Sequence, residues 1–139
     1  MAYWLLKSEP GAWSWDDQVG CGRQGTEWDG VRNHQANNNM KAMRKGDHAF
    51  FYHSVNEKRI VGTVEVVREW YLDPTDPAGR FGMVDVAARG AFVTPVSLAQ
   101  IKADERLADM VLVKNSRLSV QPVEPGQWKL ICQLGGLTR

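Results

Sequence analysis

Two stretches of the chain carry side chains of the kind that bind or react. Lys7-Ser8-Glu9 closes an apolar run and is stopped by Pro10-Gly11. A lysine beside a carboxylate at a strand mouth can act as a general acid/base pair, or can simply be an ion pair facing water. Residues Trp28 to Asn39 (WDGVRNHQANNN) bring an indole, a guanidinium, an imidazole and a run of amides together. Such amides can read the edge of a heterocycle while an indole stacks on its face. Tyr52-His53-Ser54 and the alternating set Arg117, Ser119 and Gln121 add further polar groups amid aromatics. Arg32 and Lys114 are candidates to hold phosphates beside such a pocket. The competing outcome for each is a capped helix start, a satisfied core polar or a solvated strand face.

Other chemistries are excluded by what is missing. The sequence has no nucleophile elbow, phosphate-binding loop, dinucleotide fingerprint or zincin helix. His34 and His53 have no third ligand at metal spacing, and Cys21 and Cys132 form no CxxC pattern. We therefore expect no metal, no cofactor and no disulfide.

These groups need elements to position them. Ala2 to Ser8 reads as a strand with Trp4, Leu6 and Ser8 on one face and Tyr3, Leu5 and Lys7 on the other. Ser14 to Asp17 has capping-box spacing. Asp29-Gly30 signals a turn, Asn33 is an N-cap, and Ala36, Met40 and Met43 recur at helical spacing. That helix is expected to close at Lys45-Gly46-Asp47, with Gly as its cap. Short amides are poor helix fillers, so the Asn run points to chemistry presented to a ligand. Residues 48–54 read as an aromatic strand with Phe51 and His53 opposite Phe50 and Tyr52. Residues 60–71 form a long strand in which Gly62 marks a bulge or close approach. A Pro/Gly/Asp loop spans 72–82, and Met83 to Phe92 returns as a strand. Ser97 opens a short helix to about Ala103, Leu118 to Val123 is a strand, and Pro125 starts a terminal helix carrying Trp128, Ile131 and Cys132.

The chain of 139 residues is read as a single domain, 1–139, large enough to bury a core. Its 17 basic and 16 acidic side chains are spread over both halves and leave a net charge of +1. That argues against broad, salt-driven nucleic-acid binding and for a pocket that takes one base. No basic leader with an apolar run and no bilayer-length apolar stretch is present, so a cytoplasmic monomer with no membrane partner is expected. Short helices interleaved with strands indicate an α+β domain around a curved or closed, mostly antiparallel sheet.

Trp4–Pro10 (WLLKSEP), Trp28–Asn33 (WDGVRN), Phe50–Ser54 (FFYHS), Val84–Val86 (VDV) and Ser116–Val123 (SRLSVQPV) together resemble the EVE domain family of the PUA-like superfamily. The resemblance implies a PUA-like β-barrel with peripheral short helices, similar in shape to YTH and ASCH domains. It implies a non-catalytic module that takes an extruded, modified base of DNA or RNA into a pocket. By position, nucleobase-binding residues would be Lys7, Ser8, Glu9, Trp28, Asn33, Tyr52, His53, Ser54, Arg117, Ser119 and Gln121. Three positions depart from the family pattern: His34 replaces a usual Tyr, Asn37 a usual Arg, and Phe81 stands near a common Trp. The rival reading is an ASCH-like amidohydrolase acting on a modified nucleoside through Lys7 and Glu9. Against it, Lys7 and Glu9 as neighbours favour each other's charged forms, and no second carboxylate stands beside Glu9 in sequence.

Overall fold

The computed structural model describes residues 2–137. Six strands form one sheet: β1 (Tyr3–Ser8), β2 (Thr26–Glu27), β3 (His48–His53), β4 (Arg59–Leu72), β5 (Gly82–Ser97) and β6 (Val120–Val123), in the order β2-β5-β4-β3-β1-β6. β1 and β3 run parallel, and the other neighbours are antiparallel. Among the described residues, five α-helices accompany it: α1 (Trp15–Gly20), α2 (His34–Ala42), α3 (Leu98–Ala103), α4 (Val111–Lys114) and α5 (Pro125–Leu134). None of the described helices is long and apolar enough to cross a membrane.

Strand alternation sorts the core into two bodies, one on each face of the sheet. Trp4, Leu6 and Phe51 join Trp28, Val64 and the Ala36, Met40 and Met43 stripe of α2. Leu5, Phe50 and Tyr52 join Ile60, Ile101, Leu112, Trp128, Ile131 and Cys132. Strands buried on both faces read as nearly continuous apolar runs, which is why WLLK and AFFY look as they do.

The helix starts follow local rules. Ser14 and Asp17 form a reciprocal capping box, Asn33 Oδ1 accepts the Ala36 amide at 2.9 Å, and Pro125 occupies the first turn of α5. Gly62 is a close approach: a Cβ there would stand 2.5 Å from the Trp15 ring.

Three expectations need correction. The sheet does not close into a barrel, because among the described residues no ladder joins edge strands β2 and β6. The outward carbonyl of Val120 on β6 accepts Asn39 Nδ2 from α2 at 2.8 Å, and Pro122 has no amide to offer. α2 ends at Ala42 with Met43 in extended geometry, not at Gly46. There the Asp47 carboxylate collects the Arg44 and Ala2 amides and the Trp4 indole at 3.0–3.1 Å, which draws the chain out of the helix. β5 runs on to Ser97, beyond Phe92, because Ile60 and Arg59 continue the ladder with Val96 and Ser97.

Candidate functional site

A cleft of about 560 Å³ opens between the end of β1 and the segment that begins with β2. One wall is the end of β1 with the turn after it: Lys7, Ser8, Glu9, Ala12 and Trp13. The facing wall is β2 and its continuation, Thr26 to Arg32, and Ser119 stands just before β6. The volume lies in the range of pockets for small ligands, roughly 300–1,000 Å³.

The first wall is set by the sheet. The Lys7 amide donates to the Ser119 carbonyl at 2.9 Å, and the Ser54 amide donates to the Ser8 carbonyl at 2.9 Å. Ser8 Oγ donates to the Trp13 carbonyl at 2.5 Å. The Trp13 indole donates to Gln18 Oε1 at 3.0 Å, and the fully buried Gln18 amide donates to the Val86 carbonyl at 3.0 Å. Gln18 thus joins α1, the first indole of the cleft and β5.

The second wall leaves the sheet after two residues. The Trp28 amide donates to Val84 at 2.7 Å, and its ring meets Phe51 edge to face at 5.5 Å. Gly30 takes φ +79, as the Asp29-Gly30 turn signal requires, and its amide donates to Asp73 Oδ2 at 2.8 Å. The same oxygen receives Arg32 Nη1 at 3.2 Å, while Asp73 Oδ1 receives the Thr75 amide and hydroxyl at 2.7 and 2.6 Å. The Asp73 side chain is fully buried. Burial opposes its charge, but the hydrogen bonds from Thr75, Gly30 and Arg32 outweigh burial and hold its pKa at about 2. One carboxylate therefore shapes the loop that carries Trp28.

Lys7 departs from the expected pairing with Glu9. Its ammonium donates to the Ser116 carbonyl at 2.7 Å and lies 5.9 Å from the Tyr52 ring centre. Burial, not a carboxylate, dominates, and pulls its pKa below the usual lysine range. Glu9 also shares the cleft with two carboxylates far away in sequence, Glu27 and Asp29.

The cleft brings together Lys7, Ser8, Glu9, Trp28, Arg32 and Ser119 among the residues singled out from sequence. The others lie outside its lining, each for a physical reason. Tyr52 belongs to the opposite core, where burial pushes its phenol pKa up. Gln121 pairs with Leu5, is fully buried, and gives its amide to the Leu118 carbonyl at 2.7 Å. His53 is buried behind the first wall. Its Nε2 accepts the Trp15 amide at 3.0 Å, so Nδ1 carries the proton and donates to Glu57 Oε1 at 2.9 Å. Ser54 sits in the turn after β3, and Asn33 is committed to capping α2. Arg117 is exposed in a turn, and Lys114 pairs with Asp109 at 3.2 Å on α4.

Two members of the Asn run, Asn37 and Asn39, are likewise consumed by the fold, while Asn38 is exposed. Asn37 is buried and joins the Trp70 indole, the Gly82 amide and the Arg80 carbonyl, so it stands at no pocket mouth. Trp13, Glu27, Asp29 and the brace Asp73 escaped the sequence reading. The Trp13-Ser14-Trp15 cluster and the Asp-rich turn at 73–76 were the available signals.

A family model described as EVE domain matches residues 2–134. Thymocyte nuclear protein 1 of Homo sapiens is 33% identical over 165 aligned residues, covering 96% of this chain and 73% of that protein. An NMR structure of a Rhodopseudomonas palustris protein has 58% identity and a TM-score of 0.92, covering 98% of this chain and 94% of its own. The crystal structure of human THYN1 in complex with 5-methylcytosine-containing DNA has 33% identity and a TM-score of 0.91, with 100% of each chain covered. A YTH domain from Zygosaccharomyces rouxii, at 17% identity and TM-score 0.59 over 99% of this chain and 88% of its own, shares the fold.

Proposed function

The chain belongs to the EVE domain family, and from that premise we propose that it is a non-catalytic reader of a modified nucleobase in DNA or RNA. The observation that carries this reading is the cleft itself, with an indole on each wall and polar groups between them. A base lifted out of its stack can lie against Trp13 or Trp28, each face-to-face contact being worth about 1–3 kcal/mol. Lys7 and Ser119 then lie at the β1 end of the cleft, and Glu9, Glu27 and Asp29 offer acceptors to amino groups on a base edge. Human THYN1 bound to 5-methylcytosine DNA supports the same partner class here.

One observation favours the rival amidohydrolase: the lowered pKa of Lys7 brings a base nearer to working range. The discriminating experiment titrates paired DNA and RNA oligonucleotides, with and without methylated or N4-acetylated cytosine, and follows each mixture by mass spectrometry. We expect saturable binding that prefers one modified form and leaves its mass unchanged, with selectivity weakened in Glu9→Gln. Turnover that disappears in Lys7→Ala would replace the reader by an enzyme.

A further inference from the structure

The lips of the cleft differ in charge. Exposed Glu9, Glu27 and Asp29 line the cleft, and exposed Asp16 and Asp17 stand on α1 just after Trp13, making an acidic rim. The opposite lip begins at Arg32, which lines the cleft, and continues outside the lining with exposed Lys41 on α2 and Arg80 beside it, each close to an aromatic ring. The Arg80 and Arg32 guanidinium carbons lie 6.0 and 5.8 Å from the Phe81 ring centre, and the His34 ring stands 4.9 Å away. Lys41, two turns along α2, has its ammonium 4.9 Å from the Trp70 ring centre.

Those supports are themselves fixed. Phe81 is buried, and the Trp70 indole donates to Asn37 at 2.9 Å. Two carboxylates near this lip point inward, while exposed Glu69, beside Trp70, accepts the Lys45 amide at 3.2 Å. Asp73 is closed over Gly30, Arg32 and Thr75, and Asp76 accepts the Ala78, Arg80 and Phe81 amides at 2.8–3.0 Å. Arg80 and Lys41 form no ion pair among the described residues, so their charges remain available to a partner. Cations resting on ring faces are ordered before a ligand arrives, which reduces what binding must immobilise.

We propose that the α2 lip, through Arg80 and Lys41 on their aromatic supports with Arg32 beside them, binds the phosphodiester backbone flanking the base in the cleft. The inference rests on the nucleic-acid reading above and adds a direction to it. The strand runs along α2, and the acidic rim repels it from α1. Contacts number only a few, in keeping with a net charge of +1. Phosphate contacts set position and affinity, and base contacts set selectivity, so the two are separable.

The test compares wild type, the double variant Arg80→Gln/Lys41→Gln, and Arg23→Gln as a control from the turn before β2. Affinity for modified and unmodified oligonucleotides is read by fluorescence anisotropy across a salt series, with melting curves to verify folding. The double variant should lose several-fold in affinity for both oligonucleotides equally, keep the preference ratio, and reduce the salt slope by about 2. Arg23→Gln should behave as wild type. A double variant with wild-type affinity and slope, beside a wild type that still prefers the modified base, overturns the lip and leaves the reader standing. An equal loss in Arg23→Gln overturns its placement on α2. A wild type without base preference overturns the reader while the salt slope still judges the lip, and no binding at all removes both.

Discussion

Along the Lys7–Glu9 wall of the cleft, Lys7 and Ser8 pair with β3, the Ser119 carbonyl and the Ser54 amide bond to them, and the Glu9 carbonyl accepts the Ala12 and Trp13 amides, so its geometry is shared among many bonds. The Trp28–Arg32 wall has a two-residue strand behind it, one further bond to Val84, and then the single carboxylate of Asp73. A ladder spreads the consequence of any one substitution. A buried carboxylate concentrates it, because removing the charge leaves several donors without an acceptor.

The strongest way to break this contrast is Asp73→Ala. It should cost about 3 kcal/mol of stability, read from the denaturant midpoint, because Gly30, Thr75 and Arg32 lose their acceptor together. Asp73 also carries a pH signature. Its folded pKa of about 2 lies below the ordinary 3.8, so its stabilisation is complete above that ordinary value. It fades as pH falls through the folded value. Asp73→Asn should lack this component of the acid-unfolding limb.

Exchanging the two indoles sharpens the comparison next. Trp13→Ala on the ladder wall and Trp28→Phe on the braced wall should each weaken binding of the preferred oligonucleotide by up to about 1–3 kcal/mol. Phenylalanine at 28 retains a ring against Phe51 and keeps that core filled. If only Trp28→Phe weakens binding, the base lies against the braced wall alone. The smallest effect belongs to Ser8→Ala, which removes the bond to the Trp13 carbonyl. Stability should fall by about 0.5–1.5 kcal/mol, with affinity changed less than by either indole variant.

Features whose partners lie within a few residues were legible without coordinates. The caps at Ser14, Asn33 and Ser97, the proline start of α5 and the alternation of Phe50 and Phe51 all depend on spacing of one to four residues. Half of the cleft was legible too, since Lys7-Ser8-Glu9 and Trp28 lie in compact motifs. The remaining choices were not, because they depend on which distant backbone groups need partners. Asn37 and Asn39 look like ligand chemistry until Gly82 and Val120 are found against them, 45 and 81 residues away. Tyr52 and Gln121 look like pocket polars until the sheet turns them into the opposite core.

By itself, then, the sequence determined the starts of α1, α2, α3 and α5, the faces of β1 and β3, and which family the chain resembles, because periodicity, capping and turn chemistry act locally; it left β2 and α4 unread and began β6 two residues early. Tertiary structure alone decided that the sheet stays open, that the end of β1 and the β2 segment enclose the cleft, and that Asp73 braces its wall across 43 residues. A buried carboxylate settles where the most donors converge, and that convergence exists only once the chain is folded.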